Sequence, residues 1–304
     1  MPVAGANDKI YMDVSAGMHS NQQNVKANWK GSDEMDHNLY DIPREKLLDA
    51  SRIPLLVANS AGEIHYEYAI QMIAEIVKNN AADRKTVFIL PCGPVEQYPI
   101  FARLVNRYRI NLKDTWIINM DEYVENGEWK DDKFSFRRVM NAVLYDRIEP
   151  ELNVPEKQRI FPDPHCPEEI GSLIETLGGV DMAMGGIALN GHIAFNEPQP
   201  DLSVEAFAQL PTRVVNLSTE TRVKDAILSR GGAIDSVPGQ AVTVGMKELL
   251  GARKVRFSML LDMQRAVIRQ ACLGEVSAAC PISLMQNHPD ALLMITSNVM
   301  EKPF

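Results

Sequence analysis

Two adjacent carboxylates stand directly after a short apolar run of the sequence. Asp121 and Glu122 follow residues 115–119 (TWIIN), which have the composition of a buried strand. A carboxylate in a partly desolvated cleft can act as a general base toward a C–H or O–H proton. The alternative interpretation is a solvated turn or a helix cap, which uses the same side chains. Taken alone, the pair does not decide between the two.

A second polar cluster lies in the glycine-flanked segment 185–198. It places His192, Asn190, Asn196 and Glu197 within eight residues. Histidine is well suited to proton transfer near neutral pH, and a nearby carboxylate fixes its tautomer and raises its basicity. A lone histidine is more often a satisfied structural residue, but the density of polar groups here favours a site.

Two further turns are rich in small residues. Residues 90–95 (LPCGPV) lie between a predicted strand and a predicted helix, where backbone N–H groups and the helix dipole attract an anion. An ordinary tight turn is the alternative. Residues 237–245 (VPGQAVTVG) are expected to form a second such turn before a helix at 246–250, and by themselves they indicate little.

Positioning these segments requires a framework, which the apolar pattern predicts. Short apolar runs typical of strands covered on both faces lie at 53–58, 86–90, 115–119, 181–189, 255–261 and 291–296. Segments with helical spacing lie between them, at 66–77, 95–105, 166–177, 219–228 and 263–272. The alternation predicts an α/β fold with a doubly wound, mostly parallel, Rossmann-like sheet and helices on both faces. Ligands bind such sheets beyond the carboxyl ends of the strands, where the polar segments lie.

The first fifty residues differ from the rest in composition and in apolar pattern. Asn and Gln are scattered there among few periodic apolar positions. We expect an irregular N-terminal extension over residues 1–50 and one α/β domain over residues 51–304. No internal repeat, low-complexity tract or Pro- or Gly-rich linker divides that domain.

The composition excludes several classes of protein. Apolar residues make up 45% and charged residues 23% of the 304 residues, which excludes disordered, collagen-like and coiled-coil chains. The sequence has no run of 18 apolar residues and no secretory signal pattern, so we expect a cytoplasmic protein without a membrane partner. The net charge of −9 argues against nucleic acid as a partner.

Metal-binding patterns are missing from the sequence. It contains no HExxH, Walker or GxSxG motif, and the other histidines have no metal-ligand spacing with Cys or Asp. The four cysteines include no CxxC pair and are interpreted as free thiols. We therefore expect no metal.

NMDEYV at 119–124 and GHIAFNEP at 191–198 resemble the two signature segments of the glucosamine-6-phosphate deaminase (isomerase) family. Supporting matches are the LP-x-G turn at 90–93, TRV at 221–223 and VP-x-x-A-x-TVG at 237–245. The likeness runs from about residue 54 to the end of the chain, so it leaves only the extension uncovered.

The resemblance implies that an amino sugar phosphate ring is opened, that a proton moves between C2 and C1, and that ammonia departs. It implies that Asp121 shuttles this proton, while His192, with Glu197 and Asn190 beside it, transfers the proton of the ring oxygen. The residues expected to contact the substrate are Cys92, Gly93, Pro94, Glu122, Gly191, Arg222 and Gly239. The implied ligand is a small sugar or sugar phosphate, with no metal and no organic cofactor, and assembly into a homo-oligomer is left open.

The chain departs from the family pattern at three places. Asn190 stands where the family has Asp, and an amide cannot take a proton. The GGT turn of the family becomes Gly93-Pro94-Val95, in which the proline has no N–H to donate. Gly239 replaces the Lys of the VPK segment.

These departures bear on phosphate binding. Arg222 remains as a phosphate-binding side chain of the family, and Lys224 and Lys247 are the nearest candidates to replace the missing cation. Losing charge-assisted hydrogen bonds of roughly 1.5–3 kcal/mol each weakens phosphate binding. The combined changes therefore favour an altered substrate in a divergent member of the family.

Two other functions stay open. A phosphogluconolactonase-like hydrolase shares the superfold and a Gly-His loop, although the AFNEP and DEY residues match the deaminase side. A catalytically retired sugar-binding protein would also account for Asn190 and Gly239.

Overall fold

A computed structural model of the chain describes residues 39–304. In chain order its strands are β1 (Leu55–Ala58), β2 (Thr86–Leu90), β3 (Thr115–Asn119), β4 (Asp121–Glu125), β5 (Glu128–Trp129), β6 (Arg159–Ile160), β7 (Met182–Gly186), β8 (Arg213–Asn216), β9 (Gln240–Thr243), β10 (Lys254–Met259) and β11 (Ala291–Thr296). Seven strands form the main sheet in the order β1-β11-β10-β7-β2-β3-β6, with parallel pairing. The other four form a small antiparallel sheet in the order β5-β4-β9-β8.

The helices surround the main sheet. In chain order they are α1 (Arg44–Ala50), α2 (Ala61–Ala81), α3 (Gln97–Tyr108), α4 (Phe136–Val143), α5 (Glu169–Leu177), α6 (Val204–Ala208), α7 (Thr219–Ser229), α8 (Met246–Leu250) and α9 (Arg265–Leu273). Short 3₁₀ turns lie at Leu39–Asp41, Tyr145–Arg147, Glu156–Gln158, Ile234–Ser236, Asp262–Gln264, Pro281–Asn287 and Ser297–Met300. Within residues 39–304, no helix is both long enough and apolar enough to cross a membrane.

Two hydrophobic clusters cover the two faces of the main sheet. Side chains of a strand alternate between its faces, and β2 shows this directly. Val87 and Ile89 pack in one cluster with residues of α1, α5, α8 and α9. Phe88 and Leu90 pack in the other with residues of α2, α3 and α4. The predicted α/β fold, with a mostly parallel sheet and helices on both faces, is thereby confirmed.

The small sheet differs from the expectation for two segments. Residues 119–123 and 237–245 were expected to be loops, whereas Asp121–Glu125 and Gln240–Thr243 are paired strands. The register joins Asp121 to Thr243, residues more than a hundred positions apart in the chain. Local composition carries no signal for such distant pairing, and the glycine and proline beside β9 suggest a turn.

The end of the predicted extension packs against the domain. Leu47 of α1 is fully buried in the first cluster, and Arg269 of α9 donates a hydrogen bond to the Ile42 carbonyl at 3.0 Å. Residues 1–38 of that extension lie outside the described residues. The boundary at residue 50 therefore stays a prediction.

Candidate active site

The turn after β2 lies against the end of β7 at the carboxyl edge of the main sheet. A Cβ on Gly186 would come within 3.1 Å of Pro94 Cδ and 3.2 Å of the Gly93 carbonyl oxygen. The absence of a side chain at Gly186 therefore lets the turn pack closely on the start of the histidine loop. Two of the segments predicted to carry chemistry meet here.

Cys92 links this turn to the start of helix α4. Its Sγ lies 3.9 Å from the Phe136 carbonyl oxygen. Burial raises the pKa of the Cys92 thiol, and the charges of Asp121 and Glu122 raise it further. The thiol therefore lies close to the carboxylate pair.

Asp121 opens β4 and is largely buried, with 7% of its surface exposed. Its carboxylate is affected by burial and by neighbouring charges. Among the described residues, none donates a hydrogen bond to it. Burial raises the pKa of Asp121 to about 8, Glu122 and Asp225 add to the rise, and Lys224 opposes it. Asp121 can therefore gain or lose a proton near neutral pH, as a general base must.

The carboxylate of Glu122, the next residue, is held by hydrogen bonds within the protein. It is fully buried, and its carboxylate accepts hydrogen bonds from Ser135 Oγ at 2.9 Å and from the Phe136 and Arg137 backbone N–H groups at 3.0 Å. These donors lie at the N-terminus of α4, where a carboxylate is favoured by the helix dipole. Glu122 caps a helix, which was the alternative interpretation of the pair, and its contact with substrate stays a prediction.

His192 is held by a hydrogen-bonded group of side chains. Its Nδ1 lies 3.1 Å from Glu197 Oε2 and 3.3 Å from Thr221 Oγ1. The Asn190 amide donates to Glu197 Oε2 at 2.8 Å, and Thr221 Oγ1 donates to Glu197 Oε1 at 2.6 Å. The loop thus brings together three of the four polar residues that the sequence predicted for it, whereas Asn196 bonds to the Ile193 and Val244 carbonyls.

Burial and hydrogen bonding set the charge states of His192 and Glu197. Burial lowers the pKa of His192, and the hydrogen bond that His192 donates to the Glu197 carboxylate opposes this only in part. Burial alone would raise the pKa of Glu197, but contacts with His192, Thr221 and Asn190 lower it to about 2. Glu197 is therefore a carboxylate that orients a neutral imidazole, whose Nε2 is left for exchange with a ligand.

Gly191 lets the loop take this shape. Its φ of 83° lies in the left-handed region, and a Cβ there would come within 3.1 Å of Val267 and 3.2 Å of Cys280. Both the conformation and the space favour glycine. Its predicted contact with substrate stays a prediction.

Helix α7 presents one face to both halves of the site, the half around Asp121 and the half around His192. Thr221 contacts His192, while Lys224 and Asp225, three and four residues later, share its side of the helix. Asp225 accepts a hydrogen bond from Tyr123 Oη at 2.8 Å and pairs with Lys224 Nζ at 2.8 Å. The charge of Lys224 acts on both Asp121 and His192.

The histidine loop and β4 are also joined through β9. The Phe195 N–H donates to Thr243 Oγ1 at 3.0 Å, and Thr243 is the strand partner of Asp121. The Phe195 ring lies 6.1 Å from the His192 ring and 5.9 Å from that of Tyr123. Asp121 and His192 therefore belong to one connected group of residues, here called the enclosure.

Two predicted substrate contacts lie at the loop before β9, one on the adjacent helix α7 and one at the end of the loop. Arg222 donates hydrogen bonds to the carbonyls of Val237 (3.2 Å) and Ile234 (3.5 Å), which fixes the loop before β9. Gly239 precedes β9, its carbonyl accepts a hydrogen bond from Leu217 N, and the space where its side chain would stand is open. Their contacts with substrate stay predictions.

Sequence reasoning missed three residues of the enclosure as site residues. Thr221, Tyr123 and Asp225 orient the others and lie within or beside the recognised segments. The signal that could have found two of them is the spacing of Thr221 and Asp225, which places both on one face of a predicted helix.

Within residues 39–304, no group of three or more His, Cys, Asp or Glu side chains is arranged to hold a metal ion. The expectation of no metal stays a prediction.

Curated proteins with similar sequences share one name. The chain is 30% identical over 250 residues to a glucosamine-6-phosphate deaminase of Cronobacter sakazakii, covering 80% of this chain and 88% of the relative. The chain belongs to the glucosamine-6-phosphate deaminase family. It is also 29% identical over 232 residues to the deaminase of that name from Clostridium perfringens, covering 75% of this chain and 90% of the relative. No protein-family model matches the chain.

Solved structures support the fold of this deaminase family member. A monomeric glucosamine-6-phosphate deaminase superposes with a TM-score of 0.69 at 24% identity, covering 81% of this chain and 98% of the other. A 6-phosphogluconolactonase from Trypanosoma brucei gives a TM-score of 0.59 at 14% identity, with coverages of 82% and 98%. At these identities the likeness shows a shared fold.

The Asn190 departure from the deaminase pattern has a local explanation. Its amide donates to Glu197 Oε2, and its Oδ1 accepts from the His192 N–H at 3.2 Å. An ionised Asp could accept the second bond but could not donate the first. Asn190 therefore keeps Glu197 charged and hydrogen-bonded, in a different way from a third acidic group.

Proposed function

We propose that this protein converts an amino sugar, free or phosphorylated, into the corresponding ketose with release of ammonia. Family membership supports the reaction class. The observation that carries the assignment of residues is the contrast between two carboxyl groups of one enclosure. Asp121 has a pKa of about 8, and Glu197 has a pKa of about 2. Groups whose pKa values are driven apart in this way take different roles in acid–base catalysis.

The first step is ring opening. Neutral His192, oriented through Nδ1 by Glu197, takes the proton of the anomeric hydroxyl at Nε2 and returns it to the ring oxygen as the C1–O bond to that oxygen breaks. Glu197 stays ionised throughout and stabilises the imidazolium that forms. Thr221 and Asn190 hold Glu197 in place.

The second step is proton transfer between carbons. Ionised Asp121 removes the C2 proton of the open-chain aldose, and an enolamine forms as electrons shift toward the C1 oxygen. Asp121 then gives the proton to C1, and a proton passes from the nitrogen to the C1 oxygen, which leaves a C1 hydroxyl and an imine at C2. Water adds to that imine and ammonia leaves, so that amino sugar plus water gives ketose plus ammonia.

We further propose that the protein acts in the cytoplasm on a small molecule, without a nucleic-acid or membrane partner and without a metal or organic cofactor. The negative net charge supports the absence of a nucleic-acid partner.

The test is incubation of the purified full chain with glucosamine and with glucosamine 6-phosphate. Ammonia and ketose are expected to appear in equal amounts from at least one of them, and dialysis against EDTA is expected to leave the rate unchanged. Hydrolysis of 6-phosphogluconolactone is measured in parallel. Activity on the lactone alone would replace this proposal by the hydrolase, and inertness toward all three would favour a retired binding protein.

A further inference from the structure

Helix α7 carries an ion pair beside the two halves of the site. Lys224 Nζ lies 2.8 Å from Asp225 Oδ1, and both side chains are largely buried, with 17% and 13% of their surfaces exposed. An ion pair that is held away from solvent keeps much of its field, because little water and salt screen it. The pair can therefore act on charged groups nearby.

The negative end of the pair is anchored on the side of Asp121. Asp225 Oδ2 accepts a hydrogen bond from Tyr123 Oη at 2.8 Å. Tyr123 lies two residues after Asp121 on β4, and alternate residues of a strand share a face. Burial raises the pKa of the Tyr123 hydroxyl well above its usual value, and the charge of Asp225 raises it further. The hydroxyl therefore stays a donor and holds the Asp225 carboxylate beside β4.

The positive end of the pair lies on the side of His192. Lys224 follows Thr221 by three residues on one side of α7, and Thr221 Oγ1 lies 3.3 Å from His192 Nδ1. Burial has the largest influence on the pKa of both Asp121 and His192. Beyond burial, the charge of Asp225 acts more strongly on Asp121 than that of Lys224 does. On His192 the order of the two charges is reversed, so the pair is oriented between the two halves.

We infer that Asp225 and Lys224 are positioning residues, whose oriented ion pair adapts Asp121 to proton transfer between carbons and His192 to ring opening. The inference rests on the proposed function and extends it to two residues outside the reacting groups. A negative charge beside a carboxylate favours its protonated form, and a positive charge beside an imidazole favours its neutral form. Ring opening begins with a neutral imidazole, and the carbon step needs a carboxylate that binds a proton well.

Other titratable groups also interact with the two reacting residues. Cys92 of the turn after β2 and Glu122 of β4 act on Asp121, and Glu197 of the histidine loop acts on His192. These three groups stay unchanged in the variants that test the ion pair. A difference between those variants therefore reports the pair itself.

The first measurement is the pH profile of kcat/KM for full-length wild type, Asp225→Asn and Lys224→Gln, with whichever of glucosamine and glucosamine 6-phosphate is turned over. Asn keeps an acceptor for the Tyr123 hydroxyl and removes the charge. The acid limb, which Asp121 sets, is expected to move to lower pH by roughly one unit in Asp225→Asn. It is expected to move to higher pH, by less, in Lys224→Gln. A merely structural role for the pair would lower kcat without moving the limb in opposite directions.

The matched controls are Asp235→Asn and Lys85→Gln, because both residues are exposed and undergo the same changes in charge. Their acid limbs should coincide with that of wild type. The inference would be overturned by a limb that stays in place in either test variant, or that moves the same way in both. A limb that moves equally in a test variant and its control would also overturn it.

The second measurement needs no turnover. In substrate-free, isotope-labelled protein, NMR titration follows the Asp121 carboxyl carbon and the His192 ring nitrogens. The pKa of Asp121 should fall from about 8 in Asp225→Asn, and the pKa of His192 should rise in Lys224→Gln. If wild type turns over neither sugar, the proposed function fails, and these two shifts decide whether the pair acts as inferred. The absence of either shift would overturn the inference, and where one variant does not fold, the shift in the other decides.

Discussion

The two halves of the site treat their carboxyl groups in opposite ways. Glu197 is hydrogen-bonded to Thr221 and Asn190 and paired with His192, and its pKa falls to about 2. Asp121 has only burial and neighbouring charges, and its pKa rises to about 8. Hydrogen-bond donors thus keep the partly buried Glu197 charged, whereas the more deeply buried Asp121 has no such donor among the described residues and can exchange a proton.

The largest effect is expected when the Asp121 half loses its proton carrier. Asp121→Asn should lower kcat by roughly 10²–10⁴, because the amide cannot move a proton between C2 and C1. Substrate affinity should be retained, since the amide fills the same space. Steady-state ammonia release and calorimetric titration measure the two quantities.

The same variant also sharpens the comparison through stability. Asp121 has a higher pKa folded than unfolded, so ionising it costs stability as the pH rises from about 4 to about 8. The melting temperature of Asp121→Asn should therefore exceed that of wild type at pH 8 by more than it does at pH 4.5. Asp201→Asn, at an exposed position, is the control for both measurements. Unchanged turnover in Asp121→Asn would remove Asp121 from the mechanism.

The next effect is the pH dependence of the wild-type rate. A base with a pKa of about 8 is ionised about 50 times more often at pH 8 than at pH 6, so kcat/KM should rise by that order across this range. The charge of Asp121 interacts with those of four neighbouring titratable groups, Cys92, Glu122, Asp225 and Lys224. A profile that is flat from pH 6 to 8 would contradict the assignment of Asp121 as the base.

The smallest effect is expected on the other half, from Asn190→Asp. The new carboxyl group would lie at hydrogen-bond distance from Glu197, so the two groups would share a proton at moderately acid pH. The kcat/KM profile should show an additional fall at moderately acid pH, below the limb set by Asp121, with a change of only a few fold at pH 8. A profile that keeps the wild-type slope at acid pH would mean that Asn190 does not control the charge of Glu197.

The sequence predicted the main sheet better than it predicted the small one. The runs 86–90 and 291–296 were placed correctly, because strands covered on both faces are continuously apolar. Strands β4 and β9 were interpreted as loops, because their pairing is antiparallel, distant in the chain and rich in polar residues. The enclosure they help to form could not be anticipated from local patterns.

The candidate site was predicted in its residue types and only partly in its contacts. His192, Glu197 and Asn190 were grouped correctly, because they lie within one short loop. Glu122 caps a helix, and Arg222 bonds to backbone carbonyls of the loop before β9. Both contacts depend on tertiary neighbours, which the spacing of residues in the sequence does not predict.

The cap on α4 has a consequence for the fidelity of folding. Successive side chains of a strand face opposite ways, so a slip of β4 by one position against β9 would exchange the surroundings of Asp121 and Glu122. A molecule with the shifted register would have Glu122 in the place of Asp121. The hydrogen-bond donors at residues 135–137 would then lose their acceptor. Glu122 thus helps to fix the register of β4. Although it takes no part in the proposed reaction, its helix cap disfavours the one-residue shift that would remove Asp121 from the site.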